Sequence, residues 1–407
     1  METSISFENT AIAFANKTDR ELKQAHWLFG LMGKPWLVKI GTRLAPWSIR
    51  VGLPVKGIIR KTIFRQFVGG ETLQQTATVA KILEQSQVQV ILDYGVEGKE
   101  GEESFDHARD EFIRVIEYAA TQPNIPYMSV KVTGFARFAL LEKIDDLMKA
   151  ANAGSLVKNY NAALQKLDAA ETEEWKRVYI RTEKIAAVAM ESKMGVMVDA
   201  EETWIQDPID ALTMLLMDKY NKKFPVLFNT VQLYRHDRLQ FLKQSFEAAR
   251  DRQFILGAKL VRGAYMEKER RRAKEKGYES PIQPTKEATD KDYDEGVRFC
   301  IANMDVISLV IASHNEKSNM RGVQLLQQKG AALNHPNIHF SQLFGMSDNI
   351  TYNLAKAGCN VSKYLPFGPI KDVVPYLMRR AQENTSVGGQ TGRELGLIEK
   401  ELKRRKM

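Results

Sequence analysis

From about residue 87 the chain repeats one rhythm eight times: a short apolar run, a polar tip, then a long amphipathic segment. The runs are VQVILDYGV (88–96), YMSVKVT (127–133), GVMVDAEE (195–202), VLFNTVQLY (226–234), AKLVRGAY (258–265), ISLVIASHN (307–315), IHFSQLFG (338–345) and NVSKYLPFG (360–368). Between them, segments such as SFDHARDEFIRVIEYAA and DRLQFLKQSFEAARDR space apolar residues three or four apart, and capping residues or Asp-Pro precede several. Near-continuous apolar strands alternating with helices predict an α/β fold with a parallel sheet covered on both faces. Eight such units over roughly 300 residues point to a (β/α)8 barrel. A doubly wound open sheet is the competing arrangement, but no Gly-x-Gly-x-x-Gly follows any strand to favour it. The expected organisation is a helical arm over 1–75, a barrel over 76–390 with a helical insertion at about 135–192, and a basic C-terminal helix over 391–407.

The arm is where the charge lies. The net charge is +9, and the segment from Leu22 to Gly70 has no acidic residue but nine cations: Lys23, Lys34, Lys39, Arg43, Arg50, Lys56, Arg60, Lys61 and Arg65. Trp27, Trp36 and Trp47 are interleaved with them. Basic and aromatic residues together suit an anionic membrane surface; a helical appendage packing its apolar face on the main domain has the same composition. No nucleic-acid-binding motif is present. Two cysteines cannot build a disulfide framework, the N-terminus has no basic leader, and no run of eighteen apolar residues occurs. A cytoplasmic protein is expected, peripheral on the inner face of the membrane where the arm docks.

Barrel chemistry gathers at the C-terminal ends of strands. Here all eight ends are polar: Asp93 with Glu97 nearby, Lys131, Asp199 with Glu201 and Glu202, Gln232, Arg262 with Tyr265, His314 with Asn315, Gln342, and Tyr364. After the last run, Asp372 is placed to cap a helix and Pro375 to fall in its first turn. Tyr376, Arg379, Arg380 and Glu383 then share one helical face at i, i+3, i+4 and i+7. Paired guanidiniums suit bidentate recognition of a small carboxylate, and Glu383 can compensate them or take the ligand's ammonium; a solvated face laced with ion pairs is the plainer reading.

Metal hydrolysis finds little support, since of six histidines only His314 stands at a strand end. Lys131 could serve a Schiff-base lyase, though without phosphate-loop chemistry beside it. The inventory better suits a planar cofactor with anionic arms. Arg262 beside Gly263, with Thr285, Lys286 and Thr289, offers cations and hydroxyls for phosphates; Ser313, His314, Asn315 and Gln342 offer partners for a polar heterocycle.

In this order SVKVTG, VDAEET, FNTVQLY, KLVRGAYMEKE, ASHN, FSQLFGM, KYLPFG and above all YLMRRAQEN resemble proline dehydrogenase, over about residues 75 to 390. The resemblance implies a distorted (β/α)8 barrel whose last helix lies over the mouth. It implies FAD as cofactor, L-proline as substrate, hydride transfer from proline C5 to flavin N5, and membrane quinone as electron acceptor. By position, Arg379 and Arg380 would clamp the carboxylate with Glu383 in support. Lys131 and Tyr364 match catalytic pocket positions, with Tyr376 and Leu343 packed round the ring. Asp199 matches an aspartate near flavin and substrate, and Gln232 a glutamine on the isoalloxazine. Lys259, Arg262, Gly263 and Tyr265 match the fifth-strand flavin segment, and Thr285, Lys286 and Thr289 the pyrophosphate and adenosine segment. Ser313, His314, Asn315, Gln342 and Arg380 complete the flavin set. The chain departs from some relatives, which carry arginine where Lys259 stands and lysine where Arg262 stands. Bifunctional relatives place tryptophan where Met266 stands and fuse an aldehyde dehydrogenase, for which no room is expected here. Glu97 is a candidate partner for a gating ion pair with an active-site arginine. A non-redox lyase and a non-catalytic amino-acid-binding barrel remain as alternatives.

Overall fold

The structure, a computed structural model, describes residues 5–50, 56–95, 100–386 and 390–407. Within it the chain gathers into two compact units: residues 1–95, 314–320 and 340–407, and residues 96–313 with 321–339. Eight parallel strands close into a barrel in chain order: β1 (Gln89–Tyr94), β2 (Tyr127–Val130), β3 (Gly195–Val198), β4 (Leu227–Gln232), β5 (Leu256–Val261), β6 (Ile307–Ala312), β7 (Ile338–Leu343) and β8 (Val361–Phe367). Every residue of β3 and β4 is buried. That is why β3 is apolar throughout, while in β4 the buried Asn229, Thr230 and Gln232 each make a side-chain hydrogen bond.

In the second unit the helix Glu102–Ala120 shows how the sheet is covered. It buries Phe105, Ala108, Phe112, Val115, Ile116 and Ala119, one stripe at helical spacing. Between β2 and β3 lie three helices, Phe138–Ala151, Leu156–Leu164 and Ala169–Glu191. The last begins in a reciprocal capping box between Asp168 and Glu171.

In the first unit α1 (Asp19–Met32) and α2 (Pro35–Arg50) precede the barrel. The Lys286–Ala302 helix, called α3 here, follows β5 in the other unit. Asp348–Lys356 is α4, Ile370–Ser386 is α5 and Gln390–Arg404 is α6. One apolar cluster joins Leu22, Leu28 and Phe29 of α1, Val373, Val374, Tyr376 and Leu377 of α5, and Leu397 and Ile398 of α6. Among the described residues no helix is long and apolar enough to cross a membrane.

One local expectation needs correction. Helix α5 starts at Ile370, so Asp372 lies inside its first turn instead of capping it, and Pro375 lies a turn deeper than expected. The Pro369 carbonyl accepts from the Asp372 N–H at 2.8 Å, and Asp372 acts there as a charge on the positive end of the helix dipole. Pro375 therefore removes a bond the helix would otherwise make to the Lys371 carbonyl.

Candidate functional site

In the second unit, three of the expected residues meet at the ends of β2, β3 and β5. Asp199, held by its N–H on the Val130 carbonyl at 2.9 Å, accepts from Lys131 Nζ at 3.2 Å and also from Lys259 Nζ. All three side chains are largely buried. One carboxylate thus gathers two ammonium groups, and burial strengthens the attraction between them.

The next end carries Gln232, whose Nε2 donates to the Glu201 carbonyl at 2.8 Å. Its Oε1 is buried without a hydrogen-bond partner among the described residues. Glu201 accepts from the Thr133 hydroxyl at 2.6 Å and the Thr133 N–H at 3.3 Å, and burial pushes its carboxyl up to about 7.

Beyond β5, Arg262 lies over the Tyr293 ring with its carbon 4.0 Å from the centroid. Its Nη1 donates to Ser313 Oγ at 2.8 Å and its Nε to Asp290 Oδ1 at 2.8 Å. Lys286 reaches the other oxygen of Asp290 at 2.5 Å. Asp290 and Tyr293 were not singled out in the sequence; their signal was the shared face at i+4 and i+7 from Lys286. At Gly263 a Cβ would stand 2.2 Å from the Tyr234 ring, so only glycine fits there. Thr285 caps α3, accepting from the Ala288 N–H at 3.1 Å, and the Thr289 hydroxyl donates to the Thr285 carbonyl at 3.3 Å. Tyr265 is the residue before the Met266–Lys276 helix and is half-buried.

In the first unit, Leu343 and Tyr364 are register partners on β7 and β8. Lys363 donates to the Met346 carbonyl at 2.5 Å and pairs with Asp348 of α4 at 2.8 Å, so Tyr364 takes the opposite face of the strand. Gln342 is anchored at both ends, donating to Asn319 Oδ1 at 3.2 Å and accepting from the Thr351 hydroxyl at 2.8 Å. His314 Nδ1 lies 2.9 Å from Ser347 Oγ. Asn315 accepts from the Ser318 N–H at 3.1 Å, as a helix cap does.

On α5, Arg380 is 7% exposed, with its guanidinium carbon 5.1 Å from the Tyr376 ring centroid, while Arg379 is half-buried. Glu383 lies further along the same helix, in the stretch whose side chains are not described. Glu97 lies outside the described residues.

The donor set of the second unit fits a flavin dinucleotide. Gln232 Oε1 is a buried acceptor that an isoalloxazine N–H would satisfy. Arg262 and Lys286, gathered on Asp290, are two neighbouring cations of the type that binds a pyrophosphate. Among the described residues no group of three His, Cys, Asp or Glu side chains could hold a metal. His339 stacks edge-on to Tyr127 at 5.1 Å, and burial pushes its imidazole down to about 3.

Residues 76–393 match the family model described as proline dehydrogenase. Proline dehydrogenase 1, mitochondrial, of Dictyostelium discoideum is 35% identical over 379 residues, covering 86% of this chain and 66% of that protein. Hydroxyproline dehydrogenase of Xenopus laevis is 30% identical over 432 residues, covering 99% of this chain and 90% of that protein. Among solved structures, proline utilization A from Bdellovibrio bacteriovorus inactivated by N-propargylglycine matches with a TM-score of 0.71 at 17% identity, over 94% of this chain and 42% of that chain. At that identity the match speaks for the barrel fold. The family-model match spans most of the chain, and the chain belongs to the proline dehydrogenase family.

Proposed function

We propose that the protein oxidises L-proline to Δ1-pyrroline-5-carboxylate with bound FAD, as the first step of proline breakdown, and passes the electrons to membrane quinone. The observation that carries this reading is Arg380, a guanidinium buried against Tyr376 on the helix after β8 in a chain of this family. The cofactor would supply the oxidising chemistry, accepting a hydride from C5 at its N5. The protein's own residues then bind and orient. Arg379 and Arg380 take the carboxylate, with Glu383 in support. Tyr376, Leu343 and Tyr364 pack the ring, and Lys131, held by Asp199, is carried over as a substrate residue by the family resemblance. Gln232, Lys259, Arg262, Gly263, Tyr265, Thr285, Lys286, Thr289, Ser313, His314, Asn315 and Gln342 hold the flavin, as does Asp199 through Lys259. The nitrogen proton leaves for solvent, so an amine bound neutral needs no strong base.

The purified protein should be yellow, and anaerobic addition of L-proline should bleach it. A colourless preparation that nevertheless turns over substrate through a borohydride-trappable adduct on Lys131 would support the lyase instead. Retained colour with binding but no bleaching would support a binding barrel. Hydroxyproline is the second substrate to assay, since the Xenopus laevis relative is named for it and Tyr364 stands half-buried beside Leu343. Bleaching by hydroxyproline faster than by proline would reassign the substrate.

A further inference from the structure

Three cations of the acid-free segment, with Arg20, line one hollow. In the first unit a cavity of about 570 Å³ is lined by Arg20, Arg60, Lys61 and Arg65, with Phe64 and Phe344 supplying apolar wall. A second hollow of about 410 Å³ shares Arg20 and continues to Lys23 and Trp27. Acids compensate part of this charge: Arg60 pairs with Glu71 at 2.5 Å and Arg65 with Glu21 at 3.3 Å. Arg20 and Lys61 have no ion-pair partner among the described residues. The hollow therefore presents uncompensated positive charge over an apolar floor.

Large apolar side chains lie open in the same stretch. Trp27 is 55% exposed, and Ile58, two residues before Arg60, is 68% exposed. On α2, Trp36, Ile40 and Leu44 recur every fourth residue, each about half exposed or more, which makes a stripe along one helical face. A soluble anion would need the cations but would have no use for the stripe. A bilayer with acidic lipids meets both, cations at the phosphates and indoles at the interface.

We propose that this cavity seats the phosphate headgroup of an anionic phospholipid in a membrane surface, with Trp27, Ile58 and the Trp36, Ile40 and Leu44 stripe entering the interfacial layer. The proposal rests on the reading that electrons go to a membrane quinone, and it adds the face and the headgroup. Each basic residue near an acidic lipid surface contributes about fivefold in affinity.

The test is co-sedimentation of the full-length holoprotein with phosphatidylcholine vesicles, with and without phosphatidylglycerol. Binding should require phosphatidylglycerol. The Arg20→Glu, Lys61→Glu double variant should bind the acidic vesicles at least tenfold more weakly, with unchanged circular dichroism and flavin content. The Trp36→Ser, Ile40→Ser variant should also detach. Equal binding by the charge-reversal variant overturns this site while leaving membrane delivery standing. No binding by the wild type to either vesicle overturns both. Saturable binding of inorganic phosphate that depends on Arg20 and Lys61, without vesicle binding, assigns a soluble anion instead. A concentration-dependent dimer broken by the Trp36→Ser, Ile40→Ser change assigns the stripe to a second copy, and overturns the proposal.

Discussion

Arg380 is held where a solvated arginine would not be, 7% exposed and stacked on Tyr376. On the proposed reading a substrate carboxylate adds a charge-assisted partner to this guanidinium. Charge-assisted bonds contribute about 1.5–3 kcal/mol, so Arg380→Met should lower kcat/KM for proline about ten- to a hundredfold in steady-state assays. Glu201 makes a different prediction. Burial holds its carboxyl at about 7, against an ordinary value of 4.5, so the folded chain keeps a proton that the unfolded chain has already released. Stability should therefore fall as pH rises from about 4.5 to about 7, by roughly 3 kcal/mol at most from this group. Glu201→Gln has no proton to lose, so its melting temperature should vary less across that window. It should still vary, because burial also holds Glu394 and Asp145 at about 7. A variant as pH-dependent as the wild type would assign the effect elsewhere.

At the scale of elements, the strands were the most legible part. A parallel strand covered on both faces is rich in apolar residues on both, so its sequence marks its position closely. Seven of the eight strands lie wholly within the runs read from sequence, and β5 begins two residues early, at Leu256. The start of α5 was misread because an acid in a first turn and an acid at a cap leave the same local signature. The meeting of Lys131, Asp199 and Lys259 was not legible either, since register across strands separated by long helices leaves no spacing to read. Asp290 was overlooked because it sits on a charged helix, where one acid among several carries no mark. The energetics of α5 lie on its buried side. Leu377 is fully buried in the cluster shared with α1 and α6, so Leu377→Ala should cost about 2–5 kcal/mol in denaturant unfolding. A loss below about 1 kcal/mol would mean the helix is loosely held.

At the scale of the molecule, composition foretold a segregated charge, and the fold gives it form. The nine cations between Leu22 and Gly70 leave the remainder of the sequence near neutrality. Two of them, Arg60 and Arg65, find acids at the rim of one hollow. What composition could not reveal is how the arm is built into its unit: α1 shares an apolar cluster with α5, and α2 packs against α5 as well. The helix that carries the open tryptophan and isoleucine stripe is thus also a neighbour of the helix that carries Arg380. Were α2 to settle into lipid, any coupling to the arginine pair would pass through that shared contact. Thermodynamic reciprocity then runs both ways: whatever factor lipid lends to the grip on the amino acid, the amino acid must return to the grip on lipid.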